Sequence, residues 1–134
     1  MAKILIVDDE PDILHLLKRI LERVGHTVHQ APDGRTALRM YAGNPADVVI
    51  TDILMPEMDG LEFMARVHEI FPEARIIALS GGGLVAKEEL LRDALQFGAV
   101  GFLKKPFTVE QCLEAVRTAL KWDEDDASAR AEGA

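Results

Sequence analysis

Cysteine occurs once in the 134 residues, which excludes an internal disulfide framework and any multi-cysteine metal site. Aromatic residues make up only 5%, with a single Trp, so the core has to be aliphatic. No apolar run approaches the roughly 18 residues that a membrane span needs. Basic charge is in deficit: 15 Lys and Arg stand against 23 Asp and Glu, a net charge of −8. That balance argues against direct contact with nucleic acid or an anionic membrane. The start, Met1-Ala2-Lys3, has no signal-peptide pattern and leads straight into a strand-like segment. What is present is an ordinary globular mixture, 49% apolar and 28% charged, long enough for one domain with a sizeable core. The expectation is a soluble, cytoplasmic protein that contacts neither membrane nor nucleic acid.

Residues 1–122 read as the folded domain. Residues 123–134 hold Asp123, Glu124, Asp125, Asp126 and Glu132 against Arg130 alone, with no apolar periodicity, and read as a disordered acidic tail.

Two hydrophobic patterns alternate through the body. Residues 3–7 form an unbroken apolar run after Lys3, suited to a strand buried on both faces. Ile13, Leu16, Leu17, Ile20 and Val24 recur at helical spacing, with Pro11 suited to the first turn and Gly25 to the C-terminal end. Residues 26–30 are a polar strand that belongs at a sheet edge. Asp33 can cap a helix carrying Ala37, Leu38 and Tyr41. Residues 47–51, 75–79 and 100–103 read as strands. Between them lie a helix over 61–70, with Leu61, Met64, Ala65 and His68 at helical spacing, and one over 87–97, with Leu90, Leu91, Ala94 and Leu95. Thr108 caps a last helix with Val109, Cys112, Leu113, Val116 and Leu120 inward. Five β-α units predict an α/β fold: a doubly wound, five-stranded parallel sheet with five helices on two faces. Such sheets bind ligands at the carboxyl ends of their strands.

The residues at those ends are chemically biased. Asp8, Asp9 and Glu10 follow the first strand, Asp52 ends the third, Ser80 follows the fourth before Gly81-Gly82-Gly83, and Lys104 and Lys105 follow the fifth. Taken singly, each has a plain reading as a turn residue, a helix cap, a glycine loop or a solvated lysine pair. The loop after Ser80 is not a P-loop, because no Gly-Lys-Ser/Thr follows. Their joint occurrence at four strand ends points to one pocket. Two carboxylates about 4 Å apart repel by about 4 kcal/mol at an effective dielectric near 20, which a hard divalent cation relieves. Oxygen donors without thiol or imidazole favour Mg²⁺, with Mn²⁺ as the alternative. An Asp can accept a phosphoryl group, and Lys105 and Ser80 can supply a charge and a hydroxyl donor to its oxygens.

Four blocks carry a resemblance: Ile4-Leu5-Ile6-Val7-Asp8-Asp9-Glu10; residues 51–60, Thr51-Asp52-Ile53-Leu54-Met55-Pro56-Glu57-Met58-Asp59-Gly60; Ala78-Leu79-Ser80; and residues 98–107, ending Lys104-Lys105-Pro106-Phe107. In this order and spacing the chain, over about residues 2–121, resembles the receiver domain of bacterial two-component response regulators, the CheY-like fold. The resemblance implies the strand order 2-1-3-4-5. It makes Asp52 the phosphoacceptor. It makes Asp9 and Asp52 direct Mg²⁺ ligands, with Asp8 acting through water and the backbone carbonyl of Leu54 completing the set. Lys105, beside Pro106, takes the place of the active-site lysine, and the Lys105-Pro106 bond is expected to be cis. Ser80 takes the place of the switch hydroxyl and Phe102 that of the switch aromatic. The implied partners are a histidine kinase or phosphotransfer protein as donor and a downstream protein on the face of helix four, strand five and helix five. A phosphorylation-dependent homodimer through that face is a further expectation. The implied chemistry is confined to the chain's own phosphorylation and dephosphorylation.

Two departures from the family pattern matter. The loop at 81–85 is glycine-rich and longer than in many receivers. Leu54 and Gly82, two residues beyond Asp52 and Ser80, offer no polar side chain to orient water, which predicts slow self-dephosphorylation. The sequence also bears on competing functions. A haloacid-dehalogenase-like phosphatase wants a second Asp where Leu54 stands. A flavodoxin-like carrier would find its flavin phosphate repelled by the acidic first loop. A receiver that binds partners without phosphorylation, or one separated from an output domain, remains the alternative. With no output domain after the last helix, the expectation is a stand-alone regulator acting by protein contact.

Overall fold

The computed structural model describes residues 1–53, 60–81 and 87–122, and for residues 87–91 the backbone alone. Five strands, β1 (Lys3–Val7), β2 (Thr27–Ala31), β3 (Val48–Asp52), β4 (Ile76–Ser80) and β5 (Ala99–Lys104), form one parallel sheet in the order β2-β1-β3-β4-β5. The apolar runs are unbroken because both faces are covered. Leu5, Val7, Val49, Ile76 and Ala78 point into one apolar layer. Ile4, Ile6, Val48, Ile50, Ile77 and Leu79 point into the other. Burying each of these Val, Leu and Ile side chains stabilises the fold by about 1.5–3 kcal/mol. The polar strand β2 lies at the sheet edge, where its exposed Thr27, His29 and Gln30 meet solvent.

Helices α1 (Pro11–Arg23) and α5 (Val109–Leu120) cover the Ile4/Ile50 face, and α2 (Gly34–Gly43), α3 (Gly60–Ile70) and α4 (Lys87–Gln96) cover the other. Several helical stripes sit differently from the sequence expectation. In α1 the buried residues are Leu14, Leu17, Ile20 and Leu21, whereas Leu16 and Val24 are exposed. In α3 the fully buried side chains are Phe63, Met64 and Val67; Leu61, which packs against the same core, Ala65 and His68 are partly buried at its margin. Val109, at the start of α5, is exposed, and Cys112, Val116 and Ala119 face the core. Leu95 of α4 is exposed while Ala94 is buried. Leu90 and Leu91 fall outside the described side chains. In α1 and α4 apolar residues occupy adjacent positions, Leu16 with Leu17 and Ala94 with Leu95, so two stripes fit the spacing and the sheet selects one.

The helix ends match the sequence closely. Gly25 adopts φ +95° just beyond α1, a left-handed turn that side chains with a Cβ resist. Thr108 and Gln111 form a reciprocal capping box on α5. Asp33 accepts from the Thr36 amide at 2.7 Å. That hydrogen bond holds the Asp33 carboxyl below its usual range. Its contribution is therefore present above the unfolded-state value and lost as pH falls through the lower folded-state value. Asp33→Ala is expected to cost about 1 kcal/mol near neutral pH, with the difference closing in acid. Urea melts of both proteins across that range would check it. An equal difference at all pH values would count against the cap.

Cys112 is fully buried, and burial pushes its thiol up to about 11, an inert core position. No helix among the described residues is long and apolar enough to cross a membrane. The acidic segment 123–134 lies outside the described residues.

Candidate active site

The sheet brings the carboxyl ends of β1, β3 and β5 to one place. Asp8 follows β1 directly and is completely buried. Its Oδ1 accepts from the Glu10 amide at 2.8 Å, a turn that leads the chain into α1. The N-cap of α1 is Glu10, without a side-chain cap bond, so neither Asp8 nor Asp9 caps that helix. Asp52 is the last residue of β3 and only 5% exposed. The chain leaving it is fixed by two backbone bonds, from the Ile53 amide to Leu79 O and from the Gly60 amide to Ile53 O.

Lys105 joins these groups. Its amide donates to Ser80 O at 2.7 Å, tying the chain beyond β5 to the end of β4. The Lys105-Pro106 bond is cis, as the resemblance implies. The Lys105 Nζ donates to Asp52 Oδ2 at 3.1 Å and forms an ion pair with Asp8 Oδ2 at 2.9 Å. Glu10 Oε1 lies 3.5 Å from the same ammonium. Lys104, its neighbour, is exposed.

One ammonium cannot balance this many carboxylates. Burial and the nearby Asp52 charge push the Asp8 carboxyl above its usual range, against the pull of Lys105. Burial alone would lower the Lys105 value, yet Asp8 and Asp52 outweigh it and the ammonium is held above its usual value. Asp8, Asp9 and Glu10 each place an oxygen within 4.8 Å of the others. An all-oxygen group with surplus negative charge fits a hard divalent cation. Among the described residues that group does not include Asp52, which is linked to it through Lys105. Leu54, whose carbonyl the resemblance makes a ligand, lies outside the described residues, as does Gly82.

Ser80 is half-buried at the end of β4. Phe102 pairs in register with Ala78, and Lys104 with Ser80, so the aromatic sits on the neighbouring strand just behind the hydroxyl. Phe102 is 37% exposed and borders a groove of about 510 Å³ between β5 and α5, with Gln111, Glu114 and Thr118 on its far side. Two features escape the sequence reading. Glu10 was visible as the third acid after β1, but its approach to Lys105 was not. Gly60 packs against the Asp52 carbonyl so closely that a Cβ there would overlap it. No local sequence signal reveals that contact.

The sequence profile of the response regulator receiver domain matches residues 4–117. The chain is 38% identical over 119 residues to the chemotaxis protein CheY of Bacillus subtilis, covering 88% of this chain and 97% of that one. It is 35% identical over 121 residues to the DNA-binding transcriptional regulator NtrC of Azospirillum brasilense, covering 89% of this chain but 24% of NtrC. Among solved structures, a response regulator receiver domain protein from Clostridium thermocellum superposes with a TM-score of 0.82 at 34% identity, covering 90% of this chain and 94% of that one.

Proposed function

The chain belongs to the response regulator receiver domain family, and on that premise we propose that it is a phosphorylation-activated switch with Asp52 as its phosphoacceptor. The observation that carries this reading is the largely buried ammonium of Lys105, its side chain 13% exposed, shared by Asp52 and Asp8 at neighbouring strand ends. A carboxylate oxygen of Asp52 attacks the phosphorus of a donor on a histidine kinase or phosphotransfer protein. The bond from phosphorus to the donor nitrogen breaks, and its electron pair stays with the donor. Lys105 then has phosphoryl oxygens within reach to replace the carboxylates it now serves. Asp9 and Asp52 would hold Mg²⁺ directly, with Asp8 through water and the Leu54 carbonyl. When bound, the ion neutralises charge on the phosphoryl oxygens. The chain catalyses only its own phosphorylation and dephosphorylation and turns over no other substrate.

The readout is a population shift. Phosphorylation adds charge and acceptor oxygens at Asp52. Ser80 donates its hydroxyl to one of them, and Phe102 turns toward the space the hydroxyl leaves. That remodels the groove beside α5, the proposed docking face for a downstream protein or a second phosphorylated copy. Nuclear magnetic resonance with a phosphoryl mimic is expected to shift Phe102 and the α5 residues Gln111 and Glu114. The shift should largely vanish in Ser80→Ala. Unchanged signals on that face would remove the switch.

Magnesium removal tests the reaction itself. With a small phosphodonor, uptake is expected to stop in EDTA and return with Mg²⁺. Asp9→Asn should weaken Mg²⁺ binding by about tenfold or more, since it removes a charged oxygen ligand. Uptake that persists undiminished in EDTA would overturn the metal-dependent mechanism.

A further inference from the structure

Glu10 is the one member of the cluster that the proposed chemistry leaves unused. Its carboxylate does not cap α1, although it occupies the N-cap position. Its amide is committed to Asp8 Oδ1. Its side chain instead reaches back over the site, with Oε1 3.5 Å from Lys105 Nζ. Among the described carboxylates around that ammonium, Asp8 and Asp52 are buried, whereas the Glu10 side chain is 60% exposed. Glu10 is therefore the solvent-facing carboxylate beside the lysine among the described residues that pair with it. Pro11, next in the chain, opens α1 and fixes the backbone from which the carboxylate projects.

We infer that Glu10 is a positioning residue that sorts phosphodonors by charge, by drawing the Lys105 ammonium toward the mouth of the site and presenting a negative charge to the incoming phosphoryl group. The inference rests on Asp52 as phosphoacceptor. A doubly charged small donor meets the full repulsion and competes with Glu10 for Lys105. A singly charged donor meets about half of it, because the Coulomb energy scales with the product of the charges.

Acetyl phosphate and phosphoramidate differ in this way. Near neutral pH the first is a dianion, and the second carries one net negative charge because its nitrogen is protonated. Both transfer the same group to the Asp52 oxygen. With acetyl phosphate the bond from phosphorus to the bridging oxygen breaks, and acetate leaves with the electron pair. With phosphoramidate the phosphorus–nitrogen bond breaks, and the already protonated nitrogen leaves as ammonia.

The test measures phosphoryl uptake by intact mass, in Mg²⁺, for the wild type, Glu10→Gln and Glu10→Asp with each donor. Glu10→Gln is expected to speed uptake from acetyl phosphate about three- to ten-fold and from phosphoramidate only by the square root of that factor, about two- to three-fold, as expected for one screened charge near a partly exposed site. Glu10→Asp, which keeps the charge, should keep the wild-type preference between donors. At about 1 M salt, where the screening length falls to about 3 Å, the gain should shrink towards one. A purely structural role would alter both donors alike and ignore salt. Wild-type uptake with an unchanged donor ratio in Glu10→Gln would overturn the role of Glu10 and leave Asp52 standing. Wild-type inertness to both donors, with Mg²⁺ bound, would overturn the two together.

Discussion

Gly60→Ala is expected to destabilise the protein by about 3 kcal/mol or more, a large value for adding one methyl group, because the methyl has nowhere to go. An ideal Cβ at Gly60 would overlap the Asp52 carbonyl oxygen and lie 2.7 Å from both the Asp52 carbonyl carbon and Ile53 Cα. These are backbone atoms, so no side chain can rotate aside. Either α3 lifts from the sheet, or the end of β3 shifts and carries Asp52 with it. The Gly60 amide also donates to Ile53 O at 2.8 Å, and any lift would break that bond. The fall in Tm should be roughly 10 °C. Phosphoryl uptake should slow by roughly a hundredfold, the cost of misplacing a reacting group by about 1 Å. Gly43→Ala is the control, since nothing lies within 4 Å of a Cβ there. It should be neutral or stabilise slightly. Equal denaturant midpoints for the two variants would contradict the packing account.

Lys105→Met is expected to destabilise the metal-free protein by about 3–5 kcal/mol, the usual cost of stripping one partner from a buried ion pair. Asp8 and Asp52 would be left buried and close together without the ammonium between them; their side chains are 0% and 7% exposed. Saturating Mg²⁺ should return most of the loss, because the cation takes over the charge balance and binds only the folded state. Phosphorylation-dependent signalling should remain impaired even so, because the ammonium that would meet the phosphoryl group is gone. The ammonium is held above its usual 10.5 in the folded protein. Its contribution is then fully present at neutral pH and is lost as pH rises past that value through the folded-state one. The wild type should accordingly lose its advantage over Lys105→Met in strong alkali. Thermal melts with and without Mg²⁺ would show this. A deficit that Mg²⁺ leaves untouched would mean that Lys105 stabilises by packing of its stem, not by charge.

Much of this architecture is legible in the sequence, for identifiable physical reasons. The strands declare themselves because a sheet covered on both faces demands unbroken apolar runs such as Ile4 to Val7 and Ile76 to Leu79. The strand order does not follow from those runs. It came with the family resemblance and is the order observed. The caps at Asp33 and Thr108 were readable because they are local. Helical phase was less so. In α1 the pair Leu16 and Leu17 offers two stripes a residue apart, and only docking on the sheet decides that Leu16 faces outward. Val109 looks like a core residue by spacing, yet it begins α5 before the helix has closed on the sheet and stays 53% exposed.

The candidate site shows the same division. That Asp8, Asp52 and Lys105 converge follows from their place at parallel strand ends. That Glu10 folds back towards Lys105, and that Gly60 abuts the Asp52 carbonyl, depends on loop paths and contacts between segments that the order of residues does not encode locally.

The central claim is that Asp52 accepts the phosphoryl group, and intact mass measures it most directly. The protein and Asp52→Asn would be incubated side by side with Mg²⁺ and acetyl phosphate, with Mg²⁺ binding verified separately for each. The account predicts the gain of one phosphoryl group by the wild type and none by Asp52→Asn. The same gain on both proteins, or no gain by a wild type shown to bind Mg²⁺, would contradict it.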